Sequence, residues 1–346
     1  MIATELIEGQ GLGNQLFAYV TARAVALDRG CEFGLYNPEQ FGNNIHSRKG
    51  MYFMDIDTGR ELTDDERQGM TIWNDAEDRL YKASSGADMT RGIYVSGADM
   101  SIMEVEDNTL LRGNLQAESY FAAHRDEIRD WLKVKDEYDS HEYTRDNLCI
   151  LNMRGGEYSS SPELFLPRSY WLRAMKNMRA LNPDMEFMIV TDDTEAAAKV
   201  LPEIPAYHFD MAGDYVAVKN ARYLILSNSS FALFPVMTSD TLRYVIAPKY
   251  WARYNLSDGY WASEQNIYSF LNYQDRKGRI FTADECRREL EEYKSKNRFY
   301  SELGHKPEGI KYKIGMLGAK MVYYTWFAGR IRLSLMRRLG LIRRAA

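Results

Sequence analysis

The chain has only three cysteines in 346 residues, Cys31, Cys149 and Cys286, and no two of them form a C-x-x-C pair. That spacing argues against a disulfide framework or a cysteine zinc site and fits reduced thiols in the cytoplasm. Histidine is scarce as well. His46, His124, His141, His208 and His305 include no spaced pair of the metal-binding kind. There is no P-loop and no nucleophile elbow. No apolar run reaches the length of a membrane span. The opening Met1-Ile2-Ala3-Thr4-Glu5 lacks the basic and apolar regions of a signal peptide. An excess of positive charge is also missing: the net charge is −5, which argues against a nucleic-acid partner.

What is present is ordinary for a folded chain, with 45% hydrophobic and 27% charged residues, and the length favours two domains. The 24 tyrosines suit either sugar binding or simple packing. Two distant segments carry more information. Gly11-Leu12-Gly13-Asn14-Gln15-Leu16-Phe17 and Ser227-Asn228-Ser229-Ser230-Phe231 each read as strand, polar turn and helix start. A helix start offers unpaired N–H groups and partial positive charge, a natural seat for phosphate. Two such seats in two halves predict a cleft for a phosphorylated donor and a second substrate.

Periodicity predicts a strand over 2–7, a helix over 15–29 closed by Gly30, and a strand over 32–36, a βαβ opening. Residues 55–78 read as polar loops and short helices, 110–116 as a strand and 117–132 as a helix. A polar linker over 133–147 marks the domain boundary. The second half alternates strands at 148–153, 186–190, 206–209, 223–226 and 244–247 with helices, a nucleotide-binding-like α/β pattern. Residues 262–300 read as helical, packing back over the first domain. From Lys306 onward the chain is basic, with Glu308 the only acid, and Ile314–Ala328 is apolar and aromatic, which suits a helix lying in a membrane interface. The expected organisation is 1–145, 146–260, 261–305 and a basic amphipathic tail over 306–346.

Gly9-Gln10-Gly11-Leu12-Gly13-Asn14 approaches the dinucleotide fingerprint but has Asn14 where the last glycine belongs, which weakens a dehydrogenase reading. Asn14 and Gln15 place two amides at a helix start, able to bond hydroxyls or phosphate. Arg154 follows a buried strand, where a guanidinium can clamp a pyrophosphate, and Glu157 is an acid beside it. Asp192 and Asp193 end another strand; one of them is expected to cap the next helix, and a carboxylate there can accept N–H bonds from guanine. Asp55-Ile56-Asp57 has D-x-D spacing but lies in a polar stretch and reads as solvated loop.

In order, Gly11–Phe17, Gly113-Asn114-Leu115-Gln116-Ala117-Glu118-Ser119-Tyr120-Phe121, Arg154–Tyr158, Val190–Asp193, Ser227–Phe231 and Ile246–Trp251 resemble the bacterial α-1,2-fucosyltransferases of glycosyltransferase family 11. The resemblance covers roughly residues 5–255 and implies two Rossmann-like domains in a GT-B-like α/β fold. It also implies GDP-L-fucose as donor, inversion at the anomeric carbon, and neither metal nor cofactor. The family's H-x-R-R-G-D-Y falls on residues 152–158. Arg154 is retained as the phosphate-binding arginine. The histidine is replaced by Asn152, the second arginine by Gly155 and the aspartate by Glu157. By the same resemblance Asp192 and Asp193 face guanine, and Asn228, Ser229 and Ser230 meet the donor phosphates.

The sequence thus points to a cytoplasmic, peripherally membrane-bound, inverting glycosyltransferase. Its partners would be a GDP-sugar, an oligosaccharide or glycolipid acceptor, and an anionic membrane surface. The expected catalytic residues are Arg154, Glu157 and, behind it, Glu163. The expected donor contacts are Asn14, Gln15, Asn152, Arg154, Asp192, Asp193, Asn228, Ser229 and Ser230. The rival is a nucleotide- or sugar-binding protein without transferase activity, since the central motif is altered.

Overall fold

The computed structural model describes residues 1–44, 47–75, 80–82, 94–96, 98–160, 164–249 and 266–296, with Ala328, Ile331, Arg332, Leu335, Met336 and Leu339. It opens with β1 (Ile2–Glu5), α1 (Leu12–Asp28) and β2 (Phe33–Tyr36), and β1 pairs with β2 in parallel. Helix α1 stops because Gly30 takes φ +61°, and the following amide, Cys31 N–H, returns to the Ala26 carbonyl at 2.9 Å. Further along come β3 (Arg60–Glu61), α2 (Asp64–Gln68), β4 (Thr71–Asn74), the antiparallel pair β5 (Leu80–Lys82) and β6 (Tyr94–Ser96), and β7 (Thr109–Arg112). The first sheet has the order β3-β2-β1-β7-β4 and is parallel throughout. Its two outer strands come from the stretch that read as loops and short helices. Both are short, Arg-Glu and Thr-Ile-Trp-Asn, and they exist through pairing with β2 and β7.

The helix expected over 117–132 is broken into two 3₁₀ turns, Glu118–Tyr120 and Ala122–His124, before α3 (Arg125–Trp131). Phe121 takes φ −140°, outside the helical region, and its ring is buried against that of Phe17 at 6.0 Å.

The second half contains β8 (Leu148–Met153), α4 (Arg168–Leu181), β9 (Glu186–Thr191), α5 (Thr194–Val200), β10 (Ala206–Tyr207), α6 (Met211–Lys219), β11 (Tyr223–Leu226), α7 (Leu233–Met237) and β12 (Tyr244–Pro248). Beyond it, β13 (Asn272–Gln274) and β14 (Ile280–Thr282) precede α8 (Ala283–Lys296). The sheet runs β10-β9-β8-β11-β12-β13-β14, with only the last pair antiparallel. Residues 262–300 are therefore not helical throughout: two strands extend the sheet edge, and Tyr273 and Gln274 are buried there.

In the second sheet the chain winds outward in two directions from a switch point between β8 and β11. In the first it winds outward from β1 to β3 and then returns from the edge strand β4 inward to β7, so β1 and β7 are neighbours at the switch point. Crevices for ligands form beyond the carboxyl ends of such strands. Two Rossmann-like α/β domains with facing crevices form the GT-B-like arrangement that the resemblance implies.

The two units share a core. Phe17 and Phe121 of the first pack on Phe234 of the second, with centroids 4.8 and 5.7 Å apart. Tyr268 closes on Phe17 at 6.1 Å. Glu118, nearly buried, accepts bonds from the Ser269 amide at 2.7 Å and from Arg287 at 3.0 Å. Tyr19, Tyr120, Tyr170, Tyr215, Tyr268 and Tyr273 are fully buried, so these tyrosines serve packing. Among the described residues no helix is long and apolar enough to cross a membrane.

Candidate functional site

The cleft between the two units encloses about 440 Å³. Gly9, Gly11, Leu12, Gly13 and Asn14 line it from the β1–α1 turn; Asn152, Arg154, Glu157 and Tyr158 from the end of β8; and Ser229, Ser230 and Phe231 from the end of β11. The two distant segments singled out in the sequence thus meet in one place. A Cβ on Gly13 would lie 2.3 Å from the Ser230 carbonyl carbon, so only glycine lets α1 come this close. Helix α1 starts at Gly11 with no side-chain cap, and its first turn faces the cleft.

Arg154 leaves β8 at the switch point. Its amide donates to Ser227 Oγ at 3.1 Å, which ties it to the end of β11. The guanidinium reaches Asp192 Oδ2 at 2.6 Å and both Glu157 oxygens at 2.7 and 2.9 Å, and lies 5.7 Å from the Tyr158 ring centroid. Asp192 also accepts the Gly155 amide at 2.7 Å, which makes it the anchor of the arginine loop. Asp193 caps α5 through the Ala196 amide at 2.9 Å, the capping role expected of one of the pair. Gly155, where the resembled motif would carry an arginine, is crowded. A Cβ there would stand 2.4 Å from Asp193 Cβ, so a side chain at 155 would force Asp193 to shift.

Asn14, Asn152, Arg154, Glu157, Asp192, Ser229 and Ser230 are brought together at the cleft. Three expected donor contacts are not, and each is a correction. Asp193 is spent on the α5 cap. Gln15 is fully buried: its amide donates to the Gln40 and Asn43 carbonyls at 2.9 and 3.1 Å and accepts from Gly42, so it holds a loop and faces no ligand. Asn228 is buried behind the cleft wall and donates to the Leu164 carbonyl at 3.0 Å. The helix start expected within Ser227–Phe231 is a 3₁₀ turn, Ser230–Ala232, followed by α7. Ser229 Oγ accepts the Phe231 amide in that turn. Glu163 lies outside the described residues. The D-x-D candidate is surface structure, with Asp57 paired to Arg23 and Asp55 to Lys135.

The sequence reading missed the third wall, which runs from the end of β10 to the start of α6. Asp214 is nearly buried within apolar α6. It accepts the Phe209 amide at 3.0 Å and pairs with His208 Nδ1 at 2.8 Å. Burial pushes its carboxyl up to about 6; the Phe209 amide and His208 oppose that push, and Asp192 adds to it. A lone acid in an otherwise apolar helical run was the available signal. At the cleft wall Asp210 joins the two units: Tyr52 OH donates to it at 2.7 Å and Lys49 Nζ lies 3.2 Å away. Burial opposes ionisation of Asp210, but bonds from Gly213, Tyr52 and Lys49 prevail and hold its carboxyl below the usual range. Among the described residues no group of three His, Cys, Asp or Glu could hold a metal ion.

No protein-family model and no curated protein matches the sequence. Among solved structures the chain is similar to NodZ α-1,6-fucosyltransferase soaked with GDP-fucose, at 11% identity and a TM-score of 0.41, covering 72% of this chain and 95% of that one. It is also similar to fucosyltransferase NodZ from Bradyrhizobium at 12% identity and a TM-score of 0.39, covering 69% and 93%. A third likeness is to POFUT1 in complex with GDP-fucose, at 10% identity and a TM-score of 0.38, covering 71% and 97%. Likeness at this level is too loose to transfer a role to any residue here.

Proposed function

We propose that the chain is an inverting glycosyltransferase. It would move L-fucose, or a closely related sugar, from a GDP-sugar to a hydroxyl of a surface glycan or glycolipid. The observation that carries this reading is that Arg154, at the switch point of the second sheet, shares one cleft with the uncapped start of α1 from the first. A guanidinium and helix-start amides form a seat for a diphosphate, and the volume suits a nucleoside diphosphate sugar. The donor and its linkage, α-1,2, are taken from the motif order in residues 5–255. Residues 1–145 would form the acceptor side, and 146–260, extended by β13 and β14, the donor side.

Asp192 serves Arg154 and Asp193 serves a helix, so Asp214 is the carboxylate we assign to the guanine N–H edge in their place. A base removes the proton of the acceptor hydroxyl, and that oxygen attacks the anomeric carbon from the face opposite the phosphate. The carbon–oxygen bond to phosphate breaks, and its electron pair leaves with GDP. Arg154, Asn14 and the amides near Ser229 stabilise that charge, with no metal required. Glu157 is our candidate base. A donor phosphate competing for Arg154 would free its carboxylate.

The alternative is a nucleotide-binding protein without turnover, favoured by the two carboxylates that already neutralise Arg154. Calorimetry with GDP in EDTA-containing buffer, followed by release of GDP from GDP-fucose, separates the two. Binding with turnover is expected. Binding without turnover on any acceptor supports the alternative, and affinity for NAD but none for GDP overturns both.

We also propose that the basic tail brings the enzyme to the inner face of an anionic membrane. The described tail residues Ile331, Leu335 and Leu339 are exposed, and the Leu339 amide bonds the Leu335 carbonyl at 2.9 Å, a helical spacing.

A further inference from the structure

We propose that the loop Gly113–Gln116 is a positioning device. Gln116 turns the side-chain amide of Asn14 so that its NH₂ end, not its oxygen, faces the cleft. This rests on the reading of the cleft as a phosphate seat.

The two residues sit at the switch point of the first sheet, Asn14 after β1 and Gln116 after β7. Gln116 Nε2 donates to Asn14 Oδ1 at 3.0 Å. An amide has one accepting and one donating end. With the oxygen engaged, Nδ2 is the end left for a ligand, and it makes no protein hydrogen bond among the described residues. A donor is what a phosphate oxygen needs.

The loop is built to hold this arrangement against its own backbone preference. Gly113 takes φ +124°, and a Cβ there would lie 2.6 Å from Asp75 Cβ. Leu115 takes φ +51°, an unfavourable region for a residue with a side chain. It is clamped at both polar groups. Asp75 Oδ2 accepts its amide at 2.9 Å, and Thr21 Oγ1 donates to its carbonyl at 2.9 Å, both from buried side chains. The Gln116 carbonyl is fixed from the second unit by Tyr268 OH at 3.0 Å. Backbone strain held by this many partners marks a place where position matters more than stability. The result is a single orientation of one half-buried amide.

Gln116→Glu tests this, because a carboxylate of the same shape can only accept. Asn14 must then donate to residue 116 and offer its oxygen to the phosphates. At about pH 8 we expect GDP affinity to fall roughly tenfold and GDP-fucose hydrolysis roughly a hundredfold, with the melting temperature unchanged. Toward about pH 5 the new carboxyl gains a proton and can donate again, so the deficit relative to wild type should shrink. Gln116→Met, which cannot bond at all, should show a smaller loss with no such pH dependence, and it serves if the first variant does not fold. Wild-type affinity and turnover in either variant, or a deficit in Gln116→Glu that ignores pH, overturns the positioning role. Failure of the wild-type chain itself to bind GDP overturns the phosphate reading of the cleft, and the role with it.

Discussion

Gly13 and Ser230 are in backbone contact across the cleft: a Cβ on the glycine would stand 2.3 Å from the serine carbonyl carbon and 2.5 Å from the Phe231 nitrogen. Neither backbone can yield without moving a helix or a strand end. Gly13→Ala should therefore cost roughly 1–3 kcal/mol, as overpacking does. It should also weaken GDP binding by forcing the two walls apart. An unchanged melting curve for this variant would show that the contact is looser than described.

Arg154→Ala removes the guanidinium at the second switch point. A charge-assisted bond to phosphate is worth about 1.5–3 kcal/mol, so GDP affinity should drop roughly ten- to a hundredfold, with transfer abolished. Circular dichroism should show an intact fold. Wild-type affinity in calorimetry would sink the phosphate assignment.

Glu157→Gln keeps the shape and removes the proton acceptor. Turnover should fall roughly 10²–10⁴-fold. Because the carboxylate now occupies Arg154, GDP should bind at least as tightly as before. Ordinary turnover would place the base elsewhere, with Glu163 the next residue to change.

Asp214 predicts a pH dependence of known sign. Its folded carboxyl titrates at about 6 against an ordinary 3.8, so between those values the folded state holds a proton that the unfolded chain has lost. Stability from this group therefore falls as pH rises from about 4 to about 6, by on the order of 2–3 kcal/mol. Asp214→Asn should melt higher than wild type at neutral pH, lose that advantage near pH 4, and bind GDP poorly. A variant less stable than wild type at neutral pH would show that the His208 and Phe209 bonds outweigh the buried charge.

The tail carries ten Lys and Arg between Lys306 and Arg344 against Glu308. Each basic residue near an anionic surface contributes about 1 kcal/mol, so the full chain should sediment with anionic liposomes at low salt. A chain ended at Pro307 should lose sedimentation and keep GDP binding. If the full chain ignores such liposomes, the tail is a packing element.

Much of this architecture was legible because hydrophobic period announces it. The β1–α1–β2 opening and the strand leading to Arg154 read directly from apolar spacing. Strands β3, β4, β13 and β14 did not, because two to four residues carry no period and pair only when a neighbouring strand is in place. Within the site, residue type misled more than position. Gln15 and Asn14 are adjacent amides at a helix start, and sequence cannot tell which faces a ligand and which spends both ends on a loop. Asn228 was misread for the same reason. Asp214 escaped because an acid in a helix normally marks the solvent face, and here the helix is buried on most sides.

The Phe17, Phe121, Phe234 and Tyr268 cluster makes the junction between the two units a piece of core, not a hinge greased by water. The halves should then melt in one calorimetric transition, since neither can shed the other without exposing aromatic rings. Exchanging one half for that of a relative, as one would to graft a new acceptor range onto an existing donor site, would cut through this core and not through a linker.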